Sequence, residues 1–184
     1  MVTNNPIGAP LDTSITGVKR PFLISGPCSA ESEQQVLDTA RALQHTGIHL
    51  FRAGVWKPRT RPNAFEGIGE PALQWLTAAR RETGIPVATE VANTQHVEAC
   101  LKAGIDVLWI GARTTVSPFA VQEIATALQG TNVPVFVKNP MHADLPLWIG
   151  AIERVRKATD APVWAIHRGF SRYGQQEYRN APMW

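Results

Sequence analysis

Long apolar runs are missing from this sequence, and so are clusters of one charge. No stretch approaches the roughly 18 consecutive apolar residues of a membrane-spanning helix. No five consecutive residues are basic and the formal net charge is only +3, so the sequence lacks the footprint of a nucleic-acid binder. Cysteine is scarce. Cys28 and Cys100 are the only two and sit in different local contexts, which excludes a disulfide framework. The first twenty residues are polar, carry Pro6 and Pro10, and lack the apolar core of a secretory signal. A cytoplasmic protein without membrane or nucleic-acid partners is the expectation.

What is present is ordinary in amount and regular in arrangement. The chain has 184 residues, 44% hydrophobic and 18% charged, enough for one domain with a sizeable core. Short apolar, β-rich runs recur at 22–25, 49–53, 86–91, 107–111, 134–138 and 162–167. Their near-continuous apolar character suits strands covered on both faces. Helical patterns lie between them, at 32–43, 71–82, 94–102, from Ser117-Pro118 onward, and at 144–158. The start and stop signals are Ser32, Thr94 and Ser117 at N-termini, glycines 47, 84 and 104 at C-termini, and basic residues in the last turns of 144–158.

The order βαβαβαβαβαβ, with right-handed crossovers, predicts a parallel sheet. The placement of polar residues chooses between an open sheet and a closed barrel. Cys28, Arg52, Lys57, Glu90, Arg113, Lys138 and Arg168 all lie at or just after strand C-termini. An open sheet would gather its ligand residues at one switch point, whereas a TIM-type (β/α)8 barrel draws them from every strand. The expectation is an α/β chain with about six of the eight βα units of such a barrel, residues 21–184, behind an extension of residues 1–20. A full barrel needs about 250 residues, so the sequence reads as C-terminally incomplete.

Arg52 and the run Lys57-Pro58-Arg59-Thr60 place three cations and a hydroxyl close together, as an anion site would. A solvated basic loop is the plain alternative, although Trp56 and Phe65 suggest a loop that packs down. Cys28, in Gly26-Pro27-Cys28-Ser29, is either a thiolate metal ligand or a small residue filling the barrel mouth. Glu90 is either an acid/base group or a counter-charge. Gly111-Ala112-Arg113 and Lys138 continue the series, and a lysine at this depth can also form a Schiff base with a carbonyl substrate. His167 is a ligand, a base or a packing residue. His45, His49, His96 and His142 read as structural or surface residues. Cys100, Trp75, Trp109 and Trp148 read as core.

Taken together, Gly26-Pro27-Cys28-Ser29, Arg52-Ala53-Gly54, Lys57-Pro58-Arg59-Thr60, Ile110-Gly111-Ala112-Arg113 and Arg168-Gly169 resemble the 3-deoxy-D-arabino-heptulosonate 7-phosphate (DAHP) synthases. Lys138-Asn139-Pro140-Met141 and Leu147-Trp148-Ile149-Gly150-Ala151 look like the branch often fused to a chorismate mutase domain, which this sequence does not contain. The resemblance implies a metal-dependent condensation of phosphoenolpyruvate with erythrose 4-phosphate, the first step of the shikimate pathway, in an enzyme that is a homo-oligomer when complete. It makes Cys28 a ligand of a divalent ion of the Mn, Fe, Co or Zn class. Arg52, Ala112, Arg113, Lys138 and Arg168 would bind phosphoenolpyruvate. Lys57, Pro58, Arg59 and Thr60 would bind erythrose 4-phosphate, with Lys57 and Glu90 in catalytic positions. The family's other metal ligands, a His, a Glu and an Asp, belong to seventh and eighth strand regions not found here, so little or no turnover is expected of these 184 residues alone. The alternatives are 3-deoxy-manno-octulosonate 8-phosphate synthase, a Schiff-base aldolase, and a half-barrel that binds phosphoenolpyruvate without turnover.

Overall fold

Six short parallel strands alternate with helices, and each strand pairs with the next one in the chain. The computed structural model describes residues 21–59 and 61–170. Thr60, the extension 1–20 and the aromatic tail from residue 171 lie outside the described residues. The strands are β1 (Ile24–Ser25), β2 (Leu50–Arg52), β3 (Val87–Val91), β4 (Val107–Ile110), β5 (Val135–Lys138) and β6 (Val163–Ile166). Between them run α1 (Glu33–Leu43), α2 (Leu73–Thr83, entered through a 3-10 turn, Glu70–Ala72), α3 (Thr94–Ala103), α4 (Ala112–Thr115), α5 (Pro118–Ala127) and α6 (Leu145–Ala158).

The sheet order follows the chain from β1 to β6, and every pair is parallel. A doubly wound sheet must reverse its order at a switch point, whereas a singly wound sheet keeps its helices on one side and curls. The chain therefore forms a curled half-barrel of the TIM type, as expected.

Two hydrophobic clusters follow from this winding. The larger joins helix residues such as Val36, Leu76, Val97, Ile124 and Val155 to Phe51, Val87, Val91, Leu108, Val135 and Val137. The smaller contains Leu50, Ala88, Trp109 and Phe136, with Phe22, Val107, Trp164 and Ile166 packed against it, and includes no helix residue. Side chains alternate along a strand, so β2 sends Phe51 outward to the helices and Leu50 inward. Each buried Phe, Leu or Val of the outer layer contributes about 1.5–3 kcal/mol.

Local chemistry sets the element ends. Ser32, Asn93, Ser117 and Asp144 cap helices through side chains that accept from the N–H three residues on. The cap of α3 is Asn93, one residue before the expected Thr94. Its extended backbone lets the amide oxygen reach the His96 N–H. Pro86, Pro134 and Pro162 stand just before β3, β5 and β6. There they need no N–H, and their carbonyls accept from Phe51, Leu108 and Val135. At the strand N-termini, Arg80 of α2 meets Asp106 at 2.8 Å, and the other oxygen of Asp106 accepts from the Val87 N–H. Among the described residues no helix is long and apolar enough to cross a membrane.

Candidate functional site

Three inward positions at the strand C-termini carry charge. Arg52 stands two residues after Leu50, Glu90 two after Ala88 and Lys138 two after Phe136, so period-two alternation puts all three on the inner face. The apolar inner cluster floors them. Trp109, inward on β4, pairs in register with Glu90 on one side and Phe136 on the other. Its indole N–H donates to Glu90 Oε2 at 2.8 Å. Lys138 Nζ lies 4.9 Å from its ring centroid and the Arg52 guanidinium carbon 5.8 Å. Glu90 is buried, at 9% exposure.

Burial lowers the pKa of Lys138. The charge of Glu90 works against the shift, while Arg52 and Lys57 add to it. Gly111 leaves room for Glu90, because a Cβ there would run into the carboxyl group and displace it. Gly26 is required for a backbone reason. Its φ of +144° is foreign to other residues, and a Cβ would strike the Arg52 carbonyl.

Cys28 and Lys57 form a second group beside the first. Lys57 Nζ donates to the Cys28 carbonyl at 2.8 Å and lies 3.3 Å from its sulfur. Arg52 donates to the Pro27 carbonyl at 3.2 Å. A parallel bridge between Ser29 and Gly54 holds the two strand exits together. Burial alone would raise the Cys28 thiol, but hydrogen bonds and charges from Lys57 and Arg52 outweigh it and hold the pKa below the ordinary value. Cys28 is exposed, whereas Cys100 is buried in the apolar core and its thiol is pushed up to about 12.

The loop after β2 packs down through Trp56, as expected, whereas Phe65 is exposed. Lys57 N–H donates to the Glu66 carbonyl at 2.7 Å and Gly69 N–H to that of Val55 at 2.9 Å. Trp56 stacks on His96, with ring centroids 3.9 Å apart and planes 7° from parallel. Burial lowers the pKa of His96, and its Nδ1 accepts from the Ala92 N–H. His96 is thus a structural residue with a neutral ring, and it anchors the loop. Arg59 turns to the loop itself, donating to the Phe65 carbonyl at 2.7 Å.

Ala112, Arg113 and Arg168 follow the C-termini of β4 and β6. Ala112 and Arg113 open the short helix α4, with Arg113 exposed. Arg168 follows β6, and its backbone N–H donates to Asn139 Oδ1 at 2.6 Å. The fully buried Asn139 also donates to the Gly169 carbonyl at 2.7 Å, which ties the exits of β5 and β6 together. What sequence reasoning did not foresee is the hydrogen bonding of Asn139 and the charged contacts of Trp109. Trp109 was assigned to the core, and it is buried, but it also touches three charged groups. The available signal was its spacing: it stands inward on its strand, as Glu90 does.

Among the described residues no group of three or more His, Cys, Asp or Glu is placed to hold a metal ion. The described residues do not by themselves make a metal centre.

Comparison with known proteins agrees with the fold. A phospho-2-dehydro-3-deoxyheptonate aldolase of Thermotoga maritima is 27% identical over 147 residues, covering 80% of this chain and 42% of that protein. A 2-dehydro-3-deoxyphosphooctonate aldolase of Thioalkalivibrio sulfidiphilus is 32% identical over 164 residues, 84% of this chain and 56% of that protein. The crystal structure of the Thermotoga maritima DAHP synthase superposes with a TM-score of 0.71 at 25% identity, covering 84% of this chain and 43% of that one. The chain thus spans about half the length of the relatives it matches, or less. The family model described as the DAHP synthetase I family matches residues 4–183, nearly the whole sequence, and to that family this chain belongs.

Proposed function

We propose that this polypeptide carries the phosphoenolpyruvate-binding part of a 3-deoxy-7-phosphoheptulonate synthase, a transferase that joins phosphoenolpyruvate to erythrose 4-phosphate. The observation that carries the reading is the convergence of Arg52, Lys57 and Lys138 on one rim around a buried carboxylate. Both substrates are phosphorylated and both must enter one pocket, which requires several cations. Arg52, Lys138, Arg113 and Arg168, with the Ala112 backbone, bind the donor. Lys57, Pro58, Arg59 and Thr60 receive the acceptor.

In the reaction, C3 of phosphoenolpyruvate bonds to the aldehyde carbon, water adds at C2, and phosphate leaves to give the 2-keto acid. Glu90 is the base that takes the proton of that water. Lys57 is the cation that meets the aldehyde oxygen. Cys28 would be one ligand of a divalent ion whose other ligands are not among the described residues, and such an ion would supply Lewis-acid polarisation of the aldehyde. A cytoplasmic homo-oligomer is part of the same proposal.

Calorimetric titration with phosphoenolpyruvate tests the reading, since binding needs only the cations described here. Saturable binding that is abolished by Lys138→Met together with Arg52→Gln is the expected result. No heat at millimolar ligand would overturn it. The octulosonate relatives define the competing acceptor. An eight-carbon product requires a five-carbon sugar phosphate where a seven-carbon product requires four. Tighter binding of the five-carbon acceptor to the donor-loaded chain would move the assignment to that branch. A borohydride-stable adduct on Lys138 would instead favour Schiff-base chemistry.

A further inference from the structure

A buried carboxylate beside two cations would ordinarily form an ion pair, and that pair would spend the charge meant for a ligand. Here it does not. The ion pairs among the described residues are Arg41 with Asp38, Arg41 with Glu82, and Arg80 with Asp106, all away from the strand C-terminal rim. Glu90 is held instead by a neutral donor, the Trp109 indole, at 2.8 Å. Gly111, directly after β4, packs against the same carboxyl group, which a Cβ there would displace.

Indole has one donor and no acceptor lone pair, so it can fix a carboxylate without competing for the ammonium or guanidinium groups. Its π-face does the complementary job. Lys138 and Arg52 lie over it at 4.9 and 5.8 Å, within the range of cation–π attraction. Trp109 is 5% exposed and sits between two paired strands, so the ring cannot swing away.

We propose that Trp109 is a positioning residue: its N–H edge orients Glu90 while its face holds Lys138 and Arg52 apart from that carboxylate, so that both cations stay available to an incoming dianion. The part that concerns the dianion rests on the phosphoenolpyruvate reading above. The part that concerns Glu90 does not.

The test uses the 15N-labelled chain and two variants. Trp109→Phe keeps an aromatic face and the inner packing but loses the N–H; Trp109→Leu loses both. The indole N–H resonance that disappears in Trp109→Phe belongs to Trp109, and it should move when Glu90→Gln is introduced. By calorimetry, Trp109→Phe should weaken phosphoenolpyruvate binding about threefold and Trp109→Leu about tenfold or more, in the order of their cation–π strength. Circular dichroism spectra matching the parent chain would exclude misfolding as the cause. A resonance indifferent to Glu90→Gln, or Trp109→Leu binding as tightly as the parent, would overturn the proposal. If the parent chain binds no phosphoenolpyruvate, the functional reading fails, and the resonance alone decides whether the indole holds Glu90.

Discussion

The two faces of the sheet are built from the same strands by opposite rules. Outward positions such as Phe51, Val91, Leu108 and Val137 are apolar and fully covered by helices. Inward positions begin apolar, with Leu50, Ala88 and Phe136, and become charged two residues later, at Arg52, Glu90 and Lys138. The outer face can be filled by any side chain of the right volume, because dispersion and burial are its whole task. The inner rim holds like and unlike charges close together at partial burial, which costs stability and is the pattern on which the proposed ligand site rests.

The sharpest way to break the comparison is at the outer face. Phe51→Ala removes a fully buried ring, and a loss of about 3–5 kcal/mol in urea unfolding is expected. At the inner rim the order should reverse, with function lost and stability kept. Lys138→Met is expected to weaken phosphoenolpyruvate binding by roughly 1.5–3 kcal/mol, about tenfold or more, with little change in unfolding. The same lysine gives a pH signature. Its pKa in the folded chain lies below the ordinary 10.5, so the unfolded chain binds more protons across that window. Stability from this group therefore rises as pH climbs from the lowered pKa toward 10.5, while anion affinity falls through the lowered pKa. Lys138→Arg should remove both trends, read by denaturation and by calorimetry in parallel.

The cysteines sharpen the contrast more gently. Iodoacetamide at neutral pH should label Cys28 and spare Cys100, as mass spectrometry would show. Lys57→Met should slow the labelling of Cys28 severalfold, because the thiolate loses its nearest cation. The smallest effect belongs to a helix cap. Asn93→Ala should cost about 1 kcal/mol in thermal or urea unfolding. Its further consequence would be a looser Trp56–His96 stack, visible as faster proteolysis of the loop.

How far the site could be read in advance depended on what kind of signal each residue carried. Arg52, Glu90 and Lys138 were legible because each is a charged residue at the end of an apolar run, and alternation fixes its face. Ser32 and Ser117 were legible as caps because their side chains act locally. The helix Ala112–Thr115 was not, since four residues carry no periodicity. The turn of Arg59 toward Phe65 also left no trace in the order of residues. Trp109 is core, as read, but its contacts with charge were not legible, because a tryptophan in an apolar run looks alike whether it touches helices or charges.

By itself the sequence determined the alternation of strands and helices, the parallel sheet, the rim on which the polar residues gather, and the resemblance that the family match upheld. These follow from periodicity, caps and motif spacing, which act over a few residues. Tertiary structure decided which of those polar residues meet. Strands β2, β3, β4 and β5 had to lie side by side, in register, before one indole could touch a carboxylate and two cations at once. Contacts between residues nineteen to fifty-seven positions apart are set by sheet pairing and curl, and no local pattern encodes them.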